Sequence, residues 1–255
     1  MFSVRVVVFA HAKDFSVRRS VIERALDKGI LVGYIYMFQG MRLDNWGNFF
    51  DGLLVSYEDL RAQVRYYHDR GLKVGVYVDV SECSKWLAGQ RFRDSILQYE
   101  WSEYFSRMSL NPEKSWWRNL IKTLEWCKGM GFDGINLDRA DLVTVDEEEY
   151  LREFIKEVGN RGLEYVANTL KPWQEYVADN PHCLFIGTDG VPLHQIKEYD
   201  ELYARLARKS RWGFHYLTPI LTNDLEEDRR RYEETIRVMR RPVVGVDDYN
   251  LHMFL

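Results

Sequence analysis

Short apolar runs rich in β-branched residues alternate along this chain with longer, charge-rich segments whose apolar positions recur every three or four residues. The apolar runs lie at residues 4–10, 31–37, 74–80, 134–137, 163–167, 184–187, 213–218 and 243–246. They are hydrophobic without interruption rather than at alternate positions, which suits strands covered on both faces. Between them, residues 15–28 carry Val17, Val21, Ile22 and Leu26 at helical spacing and stop at Gly29. Residues 57–70 repeat the pattern with Leu60, Val64 and Tyr67 before Gly71, and residues 116–130 with Leu120, Ile121, Leu124 and Cys127 before Gly131. Residues 147–159 place Tyr150, Leu151, Phe154, Ile155 and Val158 on one face, and helices over 196–209 and 225–240 close the series. A glycine just past the last periodic residue is a helix stop, because it takes the left-handed conformation without strain. Asp146 and Asn223 stand where helix N-caps are expected.

Regular alternation of strand and helix predicts parallel strands joined by right-handed crossovers. Eight strands in 255 residues exceed the usual open sheet and predict one α/β domain over residues 1–255, a (β/α)8 barrel of the TIM type. The first strand runs into Ala10-His11-Ala12-Lys13-Asp14, with no glycine-rich phosphate loop, which removes the dinucleotide and P-loop readings. Two connections, after strands two and three, are longer than a barrel needs. Residues 38–56 hold Trp46, Phe49 and Phe50; residues 81–115 hold Trp86, Phe92, Tyr99, Trp101, Tyr104 and Phe105. Both leave the C-terminal ends of strands, the face on which barrels build their sites, and are expected to wall a substrate. The aromatic spacing over 92–105 predicts an additional helix there.

Composition narrows the class. The 39 acidic and 35 basic residues give a net charge of -4, without the basic excess of a nucleic-acid binder. No apolar run approaches the roughly 20 residues of a membrane span, and the first run is too short for a signal sequence, so it reads as a strand. Three widely spaced cysteines without a CxxC pair argue against a disulfide framework and for a reducing cytoplasm. Aromatic residues reach 15%, with 8 Trp and 16 Tyr, and must serve either the core or ligand stacking.

In a barrel, chemistry sits at the strand C-termini. Those positions hold Lys13, Tyr36, Asp79, Asp138, Arg139, Asp141, Asn168, Asp189, His215, Asp247 and Asp248. Several carboxylates converging on one mouth suit a glycoside, attacked through a carboxylate pair, or a divalent metal. Asp138, after the apolar Ile135 and Leu137, is costly to bury at a strand end unless it is used. Asp133 sits at the strand start and reads as structural. Asp79 reads as a hydroxyl-binding residue, or equally as an ion-pair partner of Arg139 or Lys13. Asp141 reads as a turn cap, His215 as a core residue and Asp189 as either a turn residue or a catalytic one. Trp46, Trp86, Trp173 and Trp212 are candidate sugar-stacking platforms; Trp116, Trp117 and Trp126 lie on a helix face and read as packing.

The run Gly131-Phe132-Asp133-Gly134-Ile135-Asn136-Leu137-Asp138, preceded by Leu110-Asn111-Pro112, resembles strand four of glycoside hydrolase barrels. It is similar to the α-galactosidase/α-glucosidase and α-amylase groups and to a polygalactosaminidase-like family. The resemblance implies that Asp138 is the nucleophile of a retaining hydrolase acting on an α-glycosidic bond. The α-galactosidase-like layout places the acid/base on strand six, here Asp189. An amylase layout would require a Glu where this chain has Asn168, and Glu164 lies at the wrong end of that strand. Lys13, Tyr36, Asp79, Arg139, Asn168, Trp212 and Asp247 are then expected to bind a carbohydrate substrate, with no cofactor and no nucleic-acid or membrane partner. The competing expectations are a divalent-metal-dependent barrel enzyme, with Asp79, Asp138 and Asp189 as ligands, and a non-catalytic carbohydrate-binding barrel.

Overall fold

The computed structural model describes residues 5–11, 15–29, 32–38, 55–168, 175–188, 205, 208–217, 226 and 242–247. In chain order the elements are β1 (Arg5–His11), α1 (Phe15–Asp27), β2 (Val32–Phe38), α2 (Tyr57–His68), β3 (Lys73–Asp79), β4 (Glu82–Ser84), α3 (Lys85–Arg91), β5 (Ile96–Gln98) and β6 (Phe105–Met108). They continue with α4 (Ser115–Met130), β7 (Gly134–Asp138), α5 (Glu148–Asn160), β8 (Glu164–Asn168), α6 (Glu175–Ala178), β9 (Cys183–Thr188), β10 (Gly213–Leu217) and β11 (Pro242–Asp247).

Eight strands pair side by side in the order β1-β2-β3-β7-β8-β9-β10-β11, and β11 returns to β1, closing the sheet. Every pairing in this ring is parallel. Each apolar run of the sequence contributes one of these strands. The expected helices over 196–209 and 225–240 lie almost wholly outside the described residues, as do Asn223 and the connection over 39–54.

The side-chain period of two divides each strand between an outer face and the barrel interior. On β3, Val74, Val76 and Val78 join Ile135 and Leu137 of β7 in a buried core. The same core takes Leu60, Val64 and Tyr67 from α2, Leu120, Leu124 and Cys127 from α4, and Leu151, Phe154 and Val158 from α5. Each such aliphatic or aromatic side chain stabilises the fold by about 1.5–3 kcal/mol. α4 ends where the sequence predicts: Gly131 takes φ 91°, and its N–H donates to the Cys127 and Lys128 carbonyls.

Polar groups brace the N-terminal ends of the strands. Asp133 accepts from Val74 N and pairs with His68 Nε2, both at 2.8 Å. Glu164 is bridged by Lys73 and Arg211. Inside the barrel, fully buried Tyr34 lies across Gly75, where a Cβ would sit 1.5 Å from the Tyr34 hydroxyl oxygen.

Two local expectations are corrected. Asp146 falls inside a 3-10 turn (Val145–Glu147), and α5 begins after Glu147, not after Asp146. Residues 92–105 do not form a helix. The Phe92 N–H closes α3 on the Ala88 carbonyl, one 3-10 turn follows over Arg93–Ser95, and the chain then enters β5. β4, β6 and β5 make a small antiparallel sheet in that order. The aromatic spacing there has another cause: Phe92 is buried edge-on against Trp116, with centroids 5.2 Å apart, while Tyr99 and Tyr104 point to solvent.

Candidate active site

Asp138 is the last residue of β7 and, with Asn136, lies on the strand face opposite the fully buried Ile135 and Leu137. The residue is 9% exposed. The Tyr77 hydroxyl, from the neighbouring strand β3, donates to Asp138 Oδ2 at 2.5 Å. Register brings these groups together: Tyr77 pairs with Asn136, and Asp79 pairs with Asp138. A phenol held on one rigid strand thus meets a carboxylate held on the next.

Asp79 is 1% exposed, and its Oδ1 accepts from Ser81 N at 3.1 Å and Glu82 N at 2.9 Å. These bonds shape the turn from β3 into β4. Beside it, burial first and the Asp79 charge second push the Cys83 thiol far above its ordinary range, so this cysteine stays protonated.

Arg139 follows Asp138 with φ 58° and ψ 21°, and is the one non-glycine residue with positive φ among those described. A left-handed conformation costs a residue with a Cβ roughly 1–2 kcal/mol and persists only where the surroundings enforce it. Here Ser81 Oγ donates to the Arg139 carbonyl at 2.5 Å. The Arg139 guanidinium meets Glu82 twice, Nε on Oε2 and Nη2 on Oε1, each at 3.2 Å. Glu82 Oε1 also takes the Trp101 indole N–H at 2.5 Å.

Further bonds tie the small sheet to the end of β7. Val80 N donates to the Asp138 carbonyl at 3.3 Å, and Met108 N to the Ser81 carbonyl at 2.8 Å. Trp116 Nε1 donates to the Val80 carbonyl at 2.8 Å, and Arg107 Nη2 to the Leu142 carbonyl at 2.5 Å. The long connection after β3 is therefore a rigid shelf beside Asp138.

Asp138, Asn168 and Asp247 each end a barrel strand, so all three occupy one rim. Tyr36 lies in β2, paired with Phe9 and Gly75; its side chain and those of Asn168, Asp141, His215 and Asp247 lie outside the described residues. Lys13, Trp46, Trp173, Asp248 and Asp189 also lie outside them. Trp86 is 60% exposed on α3.

Trp212 is not brought to this rim. It precedes Gly213, the first residue of β10, and its N–H donates to the Leu184 carbonyl at 2.7 Å. Its ring packs edge-on to Tyr34, centroids 6.2 Å apart. Parallel strands all start at the same end of the barrel, so a residue before a strand sits opposite the mouth. Ser81 and Glu82 lie at the expected end of strand three and Trp101 in the connection expected beside the site, whereas Tyr77 is a site residue that sequence reasoning missed. Tyr77 carried one signal: it lies two residues before Asp79 and so shares its strand face.

No protein-family model matches the chain, and no curated protein matches it. Solved structures do share its fold. The glycoside hydrolase domain of PelA from Pseudomonas aeruginosa aligns with TM-score 0.68 at 14% identity, over 97% of this chain and 96% of that one. The cyclic α-maltosyl-(1→6)-maltose hydrolase from Arthrobacter globiformis aligns with TM-score 0.66 at 14% identity, over 92% of this chain and 64% of that one. The maltogenic α-amylase AmyB from Thermotoga neapolitana aligns with TM-score 0.61 at 13% identity, over 85% and 59%. The chain has the mixed α/β, parallel-sheet fold of glycoside hydrolase domains.

Proposed function

We propose that this chain is a retaining glycoside hydrolase, a single (β/α)8 barrel domain over residues 1–255 that cleaves an α-glycosidic bond. The observation that carries the reading is the Asp138 carboxylate, at the C-terminal end of an interior strand and held by the Tyr77 hydroxyl. The fold shared with glycoside hydrolase domains supports it. In this reading Asp138 attacks the anomeric carbon as the bond to the leaving oxygen breaks. Asp189 gives that oxygen its proton, then takes one from the water that opens the glycosyl ester. Retention needs the two carboxyl groups about 5–5.5 Å apart. Lys13, Tyr36, Arg139, Asn168 and Asp247 are assigned to substrate hydroxyls. Asp79 is assigned to shaping the rim and Trp212 to packing at the far end of the barrel. A cytoplasmic setting is part of the proposal, supported by three cysteines that are all buried thiols.

The test is hydrolysis of a panel of aryl α-glycosides, followed by proton NMR of the first-formed anomer. Turnover that retains the anomer and is lost in both Asp138→Asn and Asp189→Asn supports the proposal. Turnover surviving in Asp138→Asn overturns it, and inversion overturns the nucleophile assignment. Activity lost on chelation and restored by a divalent ion points instead to the metal-dependent barrel enzyme.

A further inference from the structure

We infer that Tyr77 is a positioning residue for Asp138, holding the carboxylate in place and stabilising it when it departs; this rests on the proposed reading of Asp138 as nucleophile. The contact joins two interior strand faces. Tyr77 is 7% exposed and Asp138 9%, and the Tyr77 hydroxyl donates to Asp138 Oδ2 at 2.5 Å. An aspartate at a strand end keeps torsional freedom about both side-chain bonds, and a nucleophile must hold one arrangement within about 0.5 Å. Tyr77 supplies a fixed point at the carboxylate. Val80 N on the Asp138 carbonyl and Ser81 Oγ on the Arg139 carbonyl hold the backbone that follows the Asp138 side chain, so the turn after β3 fixes the C-terminal side of the residue.

The bond acts unequally on the two steps. When the carboxylate bonds the anomeric carbon the aspartate becomes a neutral ester, and the hydrogen bond from Tyr77 weakens. When water displaces the ester the carboxylate charge returns, and the hydrogen bond strengthens again. A donor that prefers the charged form therefore speeds release of the enzyme from its intermediate. In this scheme Tyr77 neither gains nor loses a proton.

The test compares the native chain with Tyr77→Phe and with Tyr77 replaced by 3-fluorotyrosine, a near-isosteric, stronger donor that retains the packing if the phenylalanine variant does not fold. In Tyr77→Phe, kcat on an activated aryl glycoside is expected to fall about ten- to a hundredfold. KM is expected to fall with it, and an initial burst of the aryl product to appear, because the glycosyl ester accumulates. The acidic limb of kcat/KM is expected at higher pH in Tyr77→Phe and at lower pH with 3-fluorotyrosine. A purely structural role would not give opposite displacements. Unchanged limbs in both proteins overturn the inference.

A second measurement needs no substrate. The carbon-13 carboxyl resonance of Asp138, assigned by its loss in Asp138→Asn, is followed through an acid titration with and without the Tyr77 hydroxyl. Displacement in the same sense supports the contact even if Asp138→Asn proves active, which would overturn only the proposed function. No displacement overturns the inference, whatever the activity.

Discussion

Asp79 and Asp138 are register partners at the C-terminal ends of adjacent strands, yet their carboxylates have different partners. Asp79 turns back onto the amides of Ser81 and Glu82, whereas Asp138 receives the Tyr77 hydroxyl from across the strand pair. One acid builds the rim, and the other is the candidate nucleophile.

Asp79→Ala is therefore expected to act first on stability. It leaves two buried amide donors without their acceptor, a loss of about 1–3 kcal/mol for each donor left without any partner. Urea unfolding should show the loss, and a midpoint equal to that of the native chain would refute the turn-shaping role. Asp138→Asn keeps the shape and should unfold close to the native midpoint.

Arg139 offers a backbone test. Arg139→Gly relieves the left-handed conformation, about 1–2 kcal/mol, and gives up a half-exposed ion pair with Glu82 worth about 0–1 kcal/mol. Its stability should equal or exceed that of the native chain, while Arg139→Val, with a branched Cβ, should be clearly less stable. Equal stability of the two variants would show that the strain is not held in the native protein.

Gly75→Ala forces a methyl group into the fully buried Tyr34 ring inside the barrel. An overpacked interior typically costs about 1–3 kcal/mol. A thermal unfolding midpoint unchanged by this substitution would contradict the packing of Tyr34 on Gly75.

Burial raises the thiols of Cys83, Cys127 and Cys183 well above their ordinary range. The sign follows from linkage. These groups stay protonated in the folded chain, while the unfolded chain ionises them above about pH 8.5, so their contribution is complete below that pH and is lost as pH rises. Stability should fall on the alkaline side by up to about 1.4 kcal/mol per pH unit for each thiol. Ellman's reagent at about pH 8 should leave the native protein unlabelled and titrate all 3 cysteines after denaturation. Rapid labelling of the folded chain would refute the burial.

Much of the architecture follows from local pattern. Uninterrupted apolar runs such as Val76-Tyr77-Val78 are covered on both faces, and glycine stops such as Gly131 end helices through backbone sterics alone. Both are properties of short segments, so strand positions and helix ends could be read directly. The placement of Asp133 and Glu164 at strand starts and of Asp138 at a strand end follows from the same segments once the strands are parallel. Residues 92–105 show the limit. Aromatic spacing resembled a helix face, but Phe92 serves the core and Tyr99 the surface, a division made by contacts distant in sequence.

By itself the sequence determined the strand–helix rhythm, the parallel sheet and the strand-end position of Asp138, because each depends on neighbours within a few residues. The tertiary structure decided what touches Asp138. Tyr77, Ser81 and Glu82 reach it or Arg139 only because β3 pairs with β7, across 57–61 positions of chain. It likewise decided that Trp212 packs on Tyr34 at the opposite end of the barrel, since β10 and β2 come to the same interior only when the sheet closes. Register and closure are set by the packing of the whole barrel, and no short segment encodes them.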